Sequence, residues 1–230
     1  MKKVLLIIPA FNEEASIEMV VDGLVKDYPD LDYVVVNDGS TDSTGMICRK
    51  RHYNYIDLPV NLGLTGAFRA GMKYAYYNGY DYAIQYDGDG QHNPEYIIPM
   101  QEYAEEKGLD VVIGSRFLES TKNASFRMFG NTVIQICILL TTGRNIKDPT
   151  SGMRLYNKGI IEKFSKMYNY GPEPDTIAYL MRCGAKVGEY PVHMNEREYG
   201  ESYLTFSNGV AYMFRMLTSI LIVQWLRKKV

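Results

Sequence analysis

Short apolar runs recur along the first half of this chain, each followed by a segment of helical periodicity. That alternation constrains the fold more than any other feature. The runs are Val4–Ile8, Tyr33–Val36, Tyr55–Leu58, Tyr82–Tyr86 and Val111–Gly114. Asn12 is placed to cap a first helix, with Glu13 and Glu14 in the opening turn, where the helix dipole favours acids. Ile17, Val20, Val21 and Leu24 then share one apolar face. A short helix toward Arg51, a longer one over about 65–77 and one opened by Pro94 fill the other intervals. Strands separated by helices predict an α/β fold with a mostly parallel sheet covered on both faces. Such sheets bind ligands beyond the carboxyl ends of their strands, so the residues just after each strand carry the functional information.

Composition excludes several classes. With 46% hydrophobic residues and a net charge of −2, the chain is neither a disordered segment nor a strongly basic nucleic-acid binder. A mean hydropathy of −0.22 is far below that of a polytopic membrane protein. Cys48, Cys137 and Cys183 are too scattered for a disulfide framework or a zinc cluster and read as core thiols in a reducing compartment. Lys2 and Lys3 before Val4–Ile8 resemble a signal peptide, but Pro9 stops the run too early for an export segment. The expected location is therefore cytoplasmic.

The second half is less regular. Residues 132–140 are apolar on all sides, so they are expected in the core or against lipid. Strands are expected at Arg154–Tyr156 and Val187–Val192, with a helix near 176–182 between them. One domain is expected over 1–203, followed by an amphipathic helix over 204–230. Its apolar stretch, Val210 to Leu226, is shorter than the roughly 20 residues a bilayer span needs and is interrupted by Arg215. Trp225 and the Arg227-Lys228-Lys229 end suit a helix in the membrane interface. A helix docked on its own domain, or an oligomer contact, is the other reading.

Four strand-end loops carry polar chemistry: Pro9 to Glu14, Asn37 to Asp42, Asp87 to His92, and Gly114-Ser115-Arg116. Three acidic loops at one sheet edge repel one another unless a cation or hydrogen-bond donors satisfy them. Asp87 and Asp89 lie two apart among glycines, which let both carboxylates face one ion. Oxygen donors of this kind select Mg2+ or Mn2+, ions that share their sites with substrate phosphates, and Gln91 can add a neutral oxygen. His92 reads as a loop residue rather than a ligand. Asp38 can accept from a nucleobase imide or a sugar hydroxyl, or it can be a turn residue bonded to its own backbone. Asn61-Leu62-Gly63 with Gly66 lacks the spacing and lysine of a P-loop and reads as a tight turn.

Together these loops resemble the family 2 glycosyltransferases, most closely the dolichol- and undecaprenyl-phosphate sugar transferases. The likeness runs from P-A-F-N-E-E through N-D-G-S-T-D, D-G-D-G-Q-H, G-S-R-F and D-P-T-S-G-M-R to R-E-Y-G-E-S at Arg197–Ser202. It implies a GT-A fold. Pro9, Phe11, Glu13 and Asp38 would hold the nucleoside of the donor, and Asp87, Asp89 and Gln91 would hold the metal. Arg116 and Arg197 would meet phosphates of acceptor or donor, and Ser202 would support the same region. The reaction implied is transfer of a hexose, with inversion, from a UDP- or GDP-sugar to a polyprenyl phosphate. The chain departs from the pattern at Tyr203, where many relatives have lysine, and at Arg127, a second arginine closer to Arg116 than the pattern has it. The paired transmembrane helices of many relatives have no counterpart.

Physical chemistry agrees with that implication. A departing nucleoside diphosphate gathers negative charge that a divalent cation and an arginine stabilise. A phosphate acceptor, with its last pKa near ~6, is already ionised at neutral pH and needs no strong base. A glycan hydroxyl would need one, and Asp175 and Glu173 are the candidates, unless they are an ordinary acidic helix start. Asp148 is an acceptor-side residue or a turn. Three readings follow: a polyprenyl-phosphate hexosyltransferase, a transferase acting on a growing glycan, and a nucleotide-sugar-binding scaffold without turnover.

Overall fold

The computed structural model describes residues 2–88, 91–118, 126–166, 171–194 and 206–227. All seven expected strands are present. They are β1 (Val4–Ala10), β2 (Asp32–Asn37), β3 (Tyr55–Asp57), β4 (Tyr82–Gln85), β5 (Val111–Ser115), β6 (Arg154–Asn157) and β7 (Val187–Pro191). They form one sheet in the order β3-β2-β1-β4-β6-β5-β7. β6 is antiparallel to both β4 and β5, and every other neighbouring pair is parallel. The apolar runs of β1, β4 and β5 carry no alternation because helices cover both faces of the sheet there, so both sets of side chains are buried.

Helices α1 (Ile17–Asp27) and α4 (Ile97–Lys107) pack on one face, through Val20, Val21, Leu24, Ile97 and Met100. Helices α3 (Gly63–Tyr77), α5 (Phe126–Thr142), α6 (Lys158–Lys166) and α7 (Pro174–Arg182) cover the other. There Phe68, Tyr156 and Phe164 meet as three edge-on or tilted rings with centroids 5.3–5.7 Å apart. Each such pair contributes about 0.5–1.5 kcal/mol beyond simple burial. α3 lies so close to β1 that a Cβ at Gly71 would sit 2.3 Å from Ile7 Cγ2. The short helix α2 (Thr44–Lys50) follows β2.

One sequence expectation needs correction. α1 begins at Ile17, and Asn12 does not cap it; Asn12 sits at φ 56° and bonds the loop after β2 instead. α5 divides its apolar surface: Ile134, Cys137 and Ile138 are buried, while Phe129, Ile136 and Leu140 are exposed.

The last helix, α8 (Phe206–Thr218), continues through a π turn at Ser219–Val223 to Leu226. Met216, Ile220 and Gln224 face inward. Steps of four residues drift by about 40° on a regular helix; the wider π turn drifts the other way and keeps these three in line. No helix among the described residues is long and apolar enough to cross a membrane.

The topology fixes where a site can form. The chain builds outward from β1 to β2 and β3, then returns to place β4 on β1's other side, so a crevice opens at the carboxyl ends of β1 and β4. Because β6 runs antiparallel, the D-P-T-S-G-M-R segment enters the sheet at that same edge.

Candidate active site

The loops after β1 and β2 clasp each other through side chains. Asn12 N–H donates to Ser40 Oγ at 3.0 Å, and Thr41 N–H donates to Asn12 Oδ1 at 2.9 Å. Glu14 N–H donates to Asp42 Oδ2 at 3.1 Å, and Ser43 N–H returns a bond to Glu14 Oε2 at 2.9 Å. The Thr44 hydroxyl donates to Asp42 Oδ1 at 2.6 Å and accepts from Glu13 N–H at 2.8 Å. Burial pushes the Asp42 carboxyl up, but the bonds from Thr44 and from the Thr44 and Glu14 amides outweigh it and hold its pKa below the usual range. The Glu13 side chain accepts from Ser16 Oγ at 2.7 Å. Pro9 stands two residues past Ile7, the last β1 residue paired with β4, where its missing N–H costs no bond to that strand. Pro9 and Phe11 are half-buried at the mouth.

Asp38 lies at the floor of this corner and is only 3% exposed. Its N–H donates to Ala10 O and its Oδ1 accepts from Leu62 N–H, both at 2.8 Å. Asp38 is thus more than a turn residue bonded to its own backbone, because it ties the ends of β1, β2 and β3 together. Gly39, at φ 64°, allows this: a Cβ there would lie 2.5 Å from the Val60 carbonyl carbon.

Asp87 follows β4. Gln85 Nε2–H donates to Asp87 Oδ1 at 2.8 Å, the Asp87 N–H donates to His92 Nδ1 at 2.9 Å, and His92 Nε2 lies 3.5 Å from Asp87 Oδ2. A Cβ at Gly152 would lie 2.8 Å from Asp87 Oδ2, so the D-P-T-S-G-M-R segment roofs this carboxylate. Asp89 lies outside the described residues; Gln91 is described and half-buried. No three His, Cys, Asp or Glu side chains converge on a metal position among the described residues. The donors present, a partly open carboxylate and an amide oxygen in the same loop, suit a hard cation such as Mg2+ or Mn2+.

Arg116 follows β5. Its Nε and Nη2 grip Asp148 at 2.7 and 2.8 Å, and Nη2 reaches Thr150 Oγ1 at 3.2 Å. Asp148 has no solvent exposure, whereas the Arg116 side chain keeps 29%. Asp148 is therefore the buried counter-ion of Arg116. The Arg127 side chain, Arg197, Ser202 and Tyr203 lie outside the described residues.

Asp175 is placed elsewhere, on α7 against the last helix. Its Oδ2 accepts from Ser219 Oγ at 2.5 Å and from Arg227 Nη2 at 3.1 Å. Glu173 likewise accepts from Tyr212 OH at 2.7 Å and pairs with Arg215 at 3.8 Å. Burial first, then the Glu173 charge, drive the Tyr212 hydroxyl far above its usual pKa. The fold thus brings Pro9, Phe11, Glu13, Asp38, Asp87, Gln91 and Arg116 to one sheet edge and sets Asp175 under the last helix. Gln85, His92 and Gly152 belong to the site although their sequence signal is weak. A glutamine ending an apolar strand two residues before an aspartate is the one hint that was available.

The sequence model described as glycosyl transferase family 2 matches residues 5–165. An undecaprenyl-phosphate mannosyltransferase of Micrococcus luteus is 29% identical over 215 residues, covering 88% of each chain. A UDP-N-acetylglucosamine–dolichyl-phosphate N-acetylglucosaminyltransferase of Methanococcus voltae is 29% identical over 221 residues, covering 86% of this chain and 88% of the relative. Among solved structures, glucosyl-3-phosphoglycerate synthase of Mycobacterium tuberculosis, in complex with Mn2+, UDP and phosphoglyceric acid, superposes with a TM-score of 0.67 at 15% identity. That match covers 97% of this chain and 78% of the other, a likeness of fold.

Proposed function

This chain belongs to glycosyl transferase family 2 and is a glycosyltransferase of GT-A fold, and on that premise we propose that it moves a hexose from a nucleoside-diphosphate sugar to a polyprenyl phosphate, with inversion. The observation that carries the reading is the placing of Asp38 and Asp87 on either side of the crevice between β1 and β4. Asp38, with Oδ1 held by Leu62 N–H, offers Oδ2 to a nucleobase imide or a ribose hydroxyl. Asp87, Asp89 and Gln91 would hold Mg2+ or Mn2+. Such a cation neutralises charge gathering on a departing diphosphate. Arg197 would meet the donor diphosphate, and Arg116, Arg127 and Ser202 would face the acceptor phosphate.

A phosphate acceptor is supported by the setting of Asp175, the candidate base. Asp175 is 7% exposed and bonded to Ser219 and Arg227, so it is poorly set to deprotonate a hydroxyl. A lipid acceptor is supported by the apolar flank. α5 exposes Phe129, Ile136 and Leu140, and the last helix exposes Phe214, Ile222, Trp225 and Leu226. The two helices meet closely, since a Cβ at Gly130 would lie 3.1 Å from Met213 Sδ. Residues 126–142 and 206–230 contain no Asp or Glu, while Arg215, Arg227, Lys228 and Lys229 are basic. In this reading residues 1–203 are the catalytic domain, and 204–230 rest on an anionic cytoplasmic membrane face.

The test is a panel of UDP- and GDP-sugars with Mg2+ or Mn2+, with and without polyprenyl phosphate, scored by nucleotide release and by labelled lipid. Label entering a mild-acid-labile lipid fraction is expected. Release from no donor on addition of polyprenyl phosphate, or label confined to oligosaccharide, would sink the proposal.

A further inference from the structure

We propose that Gln85 and His92 are positioning residues that fix the Asp87 carboxylate from both sides before any ligand arrives, an inference that rests on the reading of Asp87 as a metal-facing group. Gly88, the next residue along the chain, has no side chain with which to hold Asp87 in place. The orientation comes from two neighbours that are each 3% exposed. Gln85 is the last residue of β4 and donates to Oδ1 at 2.8 Å. His92 is packed edge-on against Tyr86 with ring centroids 5.8 Å apart. Its Nδ1 accepts the Asp87 N–H at 2.9 Å, which places the proton of the neutral ring on Nε2, the atom 3.5 Å from Oδ2. Gly152 closes the remaining side, where any larger residue would press on Oδ2.

Each carboxylate oxygen thus faces one neutral donor and keeps a lone pair for a cation. The fold itself does not require this arrangement. The other three β4 residues, Tyr82, Ala83 and Ile84, are core side chains, and Gln85 Oε1 is buried with no hydrogen-bond partner among the described residues. An apolar side chain would serve the sheet better, since an unpaired buried amide oxygen is destabilising. The bond to Asp87 is what a glutamine supplies there.

The experiment uses the full chain and titrates Mn2+ by electron paramagnetic resonance, with saturating UDP and separately with GDP. Gln85→Met is expected to melt no lower than wild type and yet to bind Mn2+ about tenfold more weakly, the usual effect of losing an outer-shell partner. His92→Phe, which keeps the packing against Tyr86, is expected to lose a similar factor. Asp87→Ala is the control. If Asp87→Ala binds Mn2+ as wild type does with both nucleotides, the reading of the site fails and the inference falls with it. If Asp87→Ala weakens binding while Gln85→Met and His92→Phe stay within about twofold of wild type, the positioning role is overturned and the site reading stands. Nitrogen-15 spectra of wild-type His92 test the geometry independently of any variant. An unprotonated Nδ1 in the neutral ring is expected, and a proton on Nδ1 would overturn the inference.

Discussion

Asp148 has no solvent contact, so its charge depends on what the protein supplies, and Arg116 supplies most of it. Removing one partner of a buried pair leaves the other charged and uncompensated, which costs about 3–5 kcal/mol. Arg116→Met is therefore expected to lower the melting temperature by on the order of 10 °C. Adding Asp148→Asn should recover part of that loss. If Arg116 were only a surface contact for phosphate, thermal denaturation would not register its removal. Asp42 provides a pH-dependent case. Its folded pKa lies below the ordinary 3.8, so its hydrogen bonds stabilise the fold fully above that value and are lost as pH falls through the folded pKa. The stability difference between wild type and Asp42→Asn should hold from neutral pH down to about pH 4 and shrink toward pH 2. Chemical denaturation across that range checks it. These residues also mark the limit of legibility. Asp38 and Asp87 were readable because they end apolar strands. The partners that hold them were not, because Leu62 is 24 residues from Asp38 and Asp148 is 32 from Arg116.

At the scale of elements, strands were the most legible features, because the buried apolar runs of β1, β4 and β5 stand out against their flanks. Helix starts were less so. Asn12, Glu13 and Glu14 have the composition of a helix cap, but their backbone amides donate to Ser40, Thr44 and Asp42, Asn12 Oδ1 accepts from Thr41, and the helix opens four residues later than they suggest. The acids before and within α7 were ambiguous for a similar reason. Glu173 and Asp175 serve as the two fastenings of the last helix, one on Tyr212 and Arg215, the other on Ser219 and Arg227. Arg182 stacks on Trp225 at 3.6 Å beside them, and Cys183 lines the same small cleft. Cys183 therefore reports on docking of this helix. Cys48 is buried, and burial together with the Asp57 charge pushes its pKa up to about 11, so it stays an unreactive thiol. Alkylation near pH 8 is expected to modify Cys183 ahead of Cys48 and Cys137. Trp225→Ala or Arg227→Ala should speed the Cys183 reaction several-fold without exposing the other two. Equal rates at Cys183 in wild type and variants would show that the fastening does not shield it.

At the scale of the whole molecule, a net charge of −2 averages two unlike regions. The acidic side chains that define the crevice gather at the strand ends. α5 and the last helix form a flank with exposed apolar side chains and only basic charges. The last helix reads in sequence as either a membrane-facing or a docked helix, and its two faces reconcile these. Met216, Ile220 and Gln224 are buried on the domain, while Phe214, Ile222 and Leu226 remain open to a further surface. Apart from Gln224, both sets of residues are apolar, so sequence pattern alone could not divide them. If that open face meets lipid, the chain carries its own probe, because Trp225 is the only tryptophan and is 58% exposed. Vesicles containing anionic lipid should shift its emission to the blue and carry the protein down on sedimentation, whereas neutral vesicles should do so weakly, since each basic residue near an anionic surface adds about 1 kcal/mol. Phe214→Asp with Leu226→Asp should abolish both effects, because burying two carboxylates in the acyl region is prohibitive, while leaving the melting temperature of the domain unchanged. Retained vesicle binding in that double variant would place the contact elsewhere. A shift toward dimer in wild type that the variant lacks, with no vesicle binding in either, would instead identify the open face as the contact between two copies of the chain.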